Sequence, residues 1–440
     1  MKRLPRRSAL LLPLGLLPGC ATLDDLLADR QEALPGRRET VVAPRRGLEV
    51  EAANQRAVEV PLPVSNAEWA QPGGAAGHVM GNLAVSGLTP AWRSSIGEGG
   101  GYRRKITAQP VVAGGRVFAM DSDGAVSAFD AAGGGRAWRT DTQGEKDRST
   151  NIGGGITTAG GIVYATTGRA EALALDAGTG EIRWRSALVA PARSAPTEAD
   201  GRLFINLLDG KLLALNAADG ERQWAHQSEV ATTALLGQPA PAYADGLVVA
   251  GFGTGELVAV RAESGGLAWS DSLASSRGRN SLLDLSAIHA LPVIEGGRVY
   301  AIGLGGLMVS IDLRSGRRLW EREVGGTETP CLAGDWLFVQ SVEQSLAAVH
   351  KDDGRVGWIT ELPRYDDPGR QLDPIFWTGP VMGSGILVLA GSNERMTAVL
   401  AESGKVINTF NLADAASVPP IAAGGSVYVV TDDGSIQAFR

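Results

Sequence analysis

Cysteine, histidine and aromatic residues are scarce in this sequence of 440 residues. The two cysteines, Cys20 and Cys331, are too few for a disulfide framework or for a cysteine-ligated zinc site. The four histidines lie far apart, without the spacing of metal ligands. With 44% hydrophobic and 20% charged residues, the chain has the composition of a folded protein rather than a disordered one. The sequence therefore predicts a globular protein with no metal.

Basic charge is not in excess either. The net charge is -7, and the first nineteen residues hold Lys2, Arg3, Arg6 and Arg7 without any acid. Removal of those residues would leave a charge of -11 (-7 minus 4). Nucleic acid and anionic membrane surfaces are therefore poor candidate partners.

The N-terminus lacks a hydrophobic run long enough to cross a membrane. Ala9–Leu17 is apolar but short, and it follows the basic residues, as in a cleaved export signal. The signal ends at Leu17-Pro18-Gly19-Cys20, which resembles the lipobox of bacterial lipoproteins. The resemblance implies a signal peptide over residues 1–19 and a covalent lipid on Cys20. An ordinary secretory signal with an incidental cysteine is the alternative.

The residue after Cys20 is Ala21, and not the aspartate that retains Gram-negative lipoproteins in the inner membrane. The resemblance thus implies anchoring to the periplasmic face of the outer membrane. Residues 20–60 have mixed charges, several prolines and no sustained period, so we expect a lipidated flexible tether there.

Glycine, in contrast, is abundant, with 59 residues, and many of these fall in a repeated pattern. In Val111–Trp138, short apolar runs alternate with glycine turns and end at a tryptophan, which indicates four strands. The first turn of this unit occurs eight times, and six closing tryptophans follow one another at a mean interval of 44 residues. A four-stranded unit of that length is a propeller blade.

The eighth copy stops at Phe439-Arg440, before a fourth strand. We expect the run around Ala91-Trp92-Arg93 to supply that strand and close the ring, because closure removes exposed sheet edges. The predicted fold is all-β: an eight-bladed β-propeller of four-stranded antiparallel blades over residues 61–440. Large flat rings would fill the space between blades, which assigns blade docking to Trp92, Trp138, Trp184, Trp224, Trp269, Trp320 and Trp358.

The run Ala174–Trp184 (ALDAGTGEIRW) resembles the tryptophan-docking motif of the quinoprotein-like eight-bladed propellers. Together with the lipobox, it makes the chain similar to the BamB family, the lipoproteins of the outer-membrane β-barrel assembly machinery. The resemblance implies a non-catalytic scaffold that binds the POTRA domains of the BamA-like barrel insertase. Other assembly lipoproteins are implied partners, and nascent outer-membrane proteins are further candidates.

Two connections between blades exceed a minimal turn, Val230–Pro241 and Ser275–Pro292. In the BamB family the corresponding connections lie side by side and dock the POTRA domains. The resemblance thus implies that Leu235, Leu236, Asp284 and His289 bind the partner. The alternative is that the two leucines pack under their own loops.

The sequence offers no catalytic residue set. A quinone-dependent dehydrogenase, which uses the same propeller, is the alternative function. It needs oxygen ligands for calcium, a general-base aspartate and aromatic rings around the quinone. Such dehydrogenases typically carry a vicinal cysteine pair, which this sequence lacks, and longer insertions between strands. We therefore expect no enzyme activity and no cofactor besides the lipid on Cys20.

Overall fold

The computed structural model describes residues 47–50, 56–101, 104–144, 149–231, 237–274 and 286–440. The predicted lipid and sorting positions, Cys20 and Ala21, lie outside these residues, as do Leu235, Leu236 and Asp284. The described residues form strands and turns and contain no α-helix. Consequently, none of them belongs to a helix that could span a membrane.

Eight four-stranded antiparallel sheets confirm the predicted eight-bladed propeller. First strands contact the first strands of neighbouring blades and are innermost, whereas fourth strands are the most exposed. The strands in chain order are, for blade 1, Val111–Ala113, Arg116–Met120, Val126–Asp130 and Arg136–Thr140; for blade 2, Gly154–Ala159, Ile162–Thr167, Glu171–Asp176 and Ile182–Ala187; for blade 3, Thr197–Ala199, Arg202–Asn206, Lys211–Asn216 and Arg222–Gln227; for blade 4, Ala242–Ala244, Leu247–Gly251, Glu256–Arg261 and Leu267–Ser272; for blade 5, Val293–Glu295, Arg298–Gly303, Leu307–Asp312 and Arg318–Arg322; for blade 6, Cys331–Ala333, Trp336–Gln340, Ser345–His350 and Val356–Glu361; for blade 7, Trp377–Gly383, Ile386–Gly391, Arg395–Leu400 and Val406–Asn411; and for blade 8, Ile421–Ala423, Ser426–Thr431 and Ser435–Phe439.

The ring closes as predicted, with an N-terminal strand completing blade 8. Pro90–Ser95 pairs antiparallel with Ser435–Phe439, and Trp92 lies opposite Ala438. The strand Ser435–Phe439 thereby gains a partner on its outer side. The third strand of blade 8 therefore leaves no open sheet edge.

The seven predicted tryptophans lie in the fourth strands and make the same contact with the next blade. Each indole N–H donates to a carbonyl of the next blade over 2.7–3.1 Å. Each ring covers a glycine of that blade, where an added Cβ would lie 2.5–2.9 Å from the nearest ring atom. These glycines, at φ of 69–76°, are Gly134, Gly180, Gly220, Gly265, Gly316, Gly354 and Gly404. A side chain at these positions would force the blades apart and strain the backbone.

A segment without regular structure, residues 69–86, crosses the inner strands of all eight blades; we call it the central segment. Trp69, one of its residues, is fully buried. The segment exchanges hydrogen bonds with one blade after another, in the order of the ring: Trp69 with Val112, Ala70 with Thr158, Gln71 with Glu198, Ala76 with Tyr243, Gly77 with Ile294, Gly81 with Leu332, Leu83 with Ser384, and Ser86 with Gly425.

Part of the segment predicted as a tether also lies against the propeller. Leu48 packs against the apolar core that blades 5 and 6 share, and Val58 is buried. Gly47 approaches the backbone of Glu323. Among the described residues, contact with the blades is thus already present at residues 47 and 48, before the predicted boundary at residue 60.

One small sheet was not predicted. Tyr365–Asp367 and Leu372–Pro374 pair as a hairpin between blades 6 and 7. Leu372 and the following Phe376 are 51% and 63% exposed, so the hairpin presents apolar side chains to solvent.

Candidate functional site at the interblade face

All connections from a fourth strand to the next first strand lie at one end of the propeller, because neighbouring strands run antiparallel. We call this end the interblade face. Its longer connections include residues 228–241, 273–292 and 362–376. The first two are the connections in which the sequence predicts the partner-binding residues, and His289 of the second lies in the part of the chain that the structure describes.

His289 is the predicted partner-binding residue that the structure describes. Its Nδ1 lies 3.1 Å from the carbonyl oxygen of Thr327, so the ring is held against the neighbouring connection. A Cβ added to Gly237 would lie only 2.7 Å from His289 Nε2. The described parts of the two long connections therefore meet at Gly237 and His289.

A cavity of about 360 Å³ lies at the centre of the interblade face. The residues that line it come from most of the connections between blades and include His289. Pro72 of the central segment also lines the cavity. Sequence reasoning missed this site, because its residues lie far apart in the chain and most of them share only a position at or just before the start of a first strand.

Glu328 is the carboxylate among the described lining residues. Its Oε2 accepts hydrogen bonds from Thr378 Oγ1 at 2.8 Å and from the Gly379 N–H at 3.0 Å. Burial raises the pKa of Glu328 above its ordinary value, although these hydrogen bonds and nearby His289 lower it in part. The proton is therefore held more tightly on this carboxyl than on an exposed glutamate.

Another wall of the cavity contains Lys105 and Ser417. The Ser417 hydroxyl donates to Asp432 Oδ2 over 2.7 Å. Burial raises the pKa of Asp432, and the charge of Lys105 opposes that rise. The positive charge of Lys105 is thus partly balanced within the protein.

The fold and the tryptophan contacts between its blades define a class of protein, the eight-bladed β-propellers whose blades dock through tryptophan. A family profile described as outer membrane protein assembly factor BamB matches residues 90–141, 122–360 and 344–440. Because these matches span most of the sequence, the chain belongs to the BamB family.

Comparison with known proteins agrees with this assignment. BamB of Yersinia pestis is 29% identical over 359 residues, which cover 80% of this chain and 88% of that protein. The crystal structure of BamB from Moraxella catarrhalis superposes with a TM-score of 0.68 at 18% identity, covering 80% of this chain and 99% of that one. Quinohemoprotein alcohol dehydrogenase from Comamonas testosteroni gives 0.64 at 14% identity, covering 84% and 80%. At such identities the two structures show a shared fold only.

The residues of the cavity do not fit the quinone and calcium of the dehydrogenases that share this fold. Calcium binds six to eight oxygen ligands, usually with several carboxylates, and the quinone is held between aromatic rings. Of the described lining residues, none is Phe, Tyr or Trp, and a single one carries a carboxylate. Over the described ranges, no three His, Cys, Asp or Glu side chains are grouped as metal ligands.

Proposed function

We propose that this chain is an outer-membrane protein assembly factor that acts as a rigid, non-catalytic scaffold. Its family supports the proposal, since the curated relatives are named outer membrane protein assembly factors. The chemistry of the central cavity supports a non-catalytic role, because its lining does not match the cofactor of the dehydrogenases with the same fold.

The observation that carries the proposal is the meeting of two long connections on one face. Gly237 and His289 bring the described parts of these connections together, and Val230, at the start of the first, is 62% exposed. Contiguous exposed apolar patches mark protein interfaces, and a few anchor residues carry most of the binding energy. We infer that this surface, with Leu235, Leu236, Asp284 and His289, binds the POTRA domains of the barrel insertase.

The remaining parts of the proposal concern location. A lipid on Cys20 and an alanine at position 21 would anchor the chain to the periplasmic face of the outer membrane. There it would meet the insertase, the other assembly lipoproteins and nascent outer-membrane proteins.

The test replaces Leu235 and Leu236 together by aspartate and measures co-purification of the insertase from solubilised membranes. We expect recovery to fall at least tenfold, because interface anchors each cost about 2 kcal/mol or more when removed. The matched control places aspartate at Leu62 and Leu267, which are exposed elsewhere on the propeller, and should retain full recovery.

Two results would contradict the proposal. If the Leu235/Leu236 variant loses its cooperative melting transition, the leucines are part of the core, as in the alternative interpretation. If it keeps the wild-type melting temperature and still recovers the insertase, the partner binds another surface.

A further inference from the structure

Three buried polar atoms without hydrogen-bond partners occur among the residues that line the central cavity. They are Arg193 Nε, Ser194 Oγ and Gln238 Oε1. Ser194 is only 6% exposed. The backbone N–H of Gln238 donates to the carbonyl of Arg193 over 3.2 Å, which holds the three residues together. Buried polar groups are almost always paired with protein or with water, so three unpaired ones at one cavity leave donors and an acceptor free for the polar groups of a ligand.

Arg193 carries a positive charge that no described carboxylate pairs with. Over the residues that the structure describes, its side chain forms no ion pair, whereas Arg139, Arg185 and Arg318 each do. Glu328, the carboxylate of the cavity, is already bound by Thr378 and Gly379. Lys105, the other cation of the lining, faces Asp432. Arg193 is therefore the group at which an anion would bind most strongly.

The side chains next to Arg193 indicate which functional groups the bound anion carries. A guanidinium and a hydroxyl both donate to a carboxylate, and the planar guanidinium matches its shape. Gln238 Oε1 is an acceptor, so the ligand also needs a donor next to its carboxylate. The amide N–H of an acylated amino acid provides this combination.

Apolar side chains also line the cavity. Ile106, Ala195, Ala240, Leu291 and Val418 line the same cavity. Its volume of about 360 Å³ is in the lower range of small-ligand pockets and suits one or two residues. We propose that the central cavity binds the carboxylate of an N-acylated apolar amino acid, with the C-terminus of a polypeptide and a free small acid as the two sources of that group.

The proposal does not rest on the proposed scaffold function and is tested with the purified chain alone. The probes are the peptide Ala-Ala-Val with a free C-terminus, its C-terminal amide, and N-acetylvaline, titrated by calorimetry. We expect saturable binding of the free peptide and at least tenfold weaker binding of the amide. A peptide that binds tighter than N-acetylvaline identifies a chain terminus as the ligand, and equal binding identifies a small acid.

Substitutions assign the site to Arg193. R193Q should bind the free peptide at least tenfold more weakly, and R193K, which keeps the charge but not the planar group, should be intermediate. The matched control is R314Q, which changes an exposed arginine in a turn of blade 5 and should bind like the wild type. Melting temperatures show that each variant is folded.

The proposal is overturned by any of three results. These are the absence of saturable binding at millimolar peptide, equal binding of the acid and the amide, and unchanged binding by folded R193Q. None of them bears on insertase recovery, so the two proposals fail independently.

Discussion

At the scale of single residues, the ring depends on the pairing of a tryptophan in one blade with a glycine in the next. The indole satisfies its own N–H on the neighbouring blade, for example from Trp269 to the Leu313 carbonyl at 2.7 Å. It also covers a backbone that has no side chain, at Gly316. Between blades 7 and 8 the pairing is missing, because Asn408 occupies the tryptophan position.

His78 makes a contact of a different kind, between the central segment and blade 5. Its Nδ1 lies 2.7 Å from the carbonyl oxygen of Pro292, so this nitrogen carries the proton and donates. The ring is fully buried, and burial lowers the pKa of His78 from 6.5 to about 4. The histidine is therefore neutral in the folded protein at pH 7.

This pKa makes stability pH-dependent. In the unfolded chain, His78 binds a proton as the pH falls below 6.5. In the folded chain, the same histidine stays neutral until the pH reaches about 4. The free energy of unfolding should therefore fall as pH decreases through this window, by about 1.4 kcal/mol per pH unit at most. Denaturant unfolding at pH 7.5, 6, 5 and 4 measures the slope.

The variant H78N isolates the contribution of this residue. Asparagine tolerates the left-handed backbone at position 78, where φ is 59°. Between pH 6.5 and 4, we expect the free energy of unfolding of H78N to fall less steeply than that of the wild type. The control is the same substitution at partly exposed His226, which should leave the wild-type slope unchanged. A slope in H78N as steep as in the wild type would assign the pH dependence to other groups.

At the scale of elements, the blades could be predicted from the sequence and the central segment could not. Blades 1–6 repeat the same turns and the same Gly–Trp spacing, and even the closing strand is marked by Trp92. The central segment touches each blade with one or two residues, so its contacts leave no period. Arg193 and Glu328 could not be assigned to one cavity from the sequence, because their connections come together only in the closed ring.

The central segment should contribute much of the stability. A chain that begins at residue 88 keeps the closing strand Pro90–Ser95 but loses the hydrogen bonds to all eight blades and the buried Trp69. Replacing a buried tryptophan by alanine alone costs about 3–5 kcal/mol. We therefore expect this truncated chain to aggregate or to unfold without cooperativity in a calorimetric scan.

The comparison requires two further chains. One begins at residue 45 and keeps every described contact, so it should melt like the full sequence. The other begins at residue 96 and loses the closing strand as well. If the chains beginning at 45 and 88 melt at the same temperature, ring closure alone stabilises the propeller and the central segment is dispensable.

At the scale of the whole molecule, the charge of the chain bears on how it is held at a membrane. The net charge of the sequence is negative, which opposes binding to anionic lipid surfaces. We propose that anchoring depends on the lipid on Cys20. Acyl chains contribute about 0.8 kcal/mol per buried methylene, and several chains together give stable anchoring.

The variant C20A should therefore leave the membrane. Without the thiol no lipid can be attached, so we expect the protein in the soluble periplasmic fraction or as an unprocessed precursor. Fractionation of cells after a high-salt wash measures this, because salt removes proteins held by charge alone. In the otherwise unchanged chain, A21D should move the protein from the outer to the inner membrane.

The second cysteine provides the matched control for this experiment. Cys331 lies fully buried in the first strand of blade 6, where no lipid can reach it, so C331A should remain in the outer-membrane fraction. Because C331A also removes a buried thiol, its melting temperature shows whether the fold survives. If folded C20A stays with the outer membrane after the salt wash, the anchor is not a lipid on Cys20, and protein contacts of the propeller must hold it there.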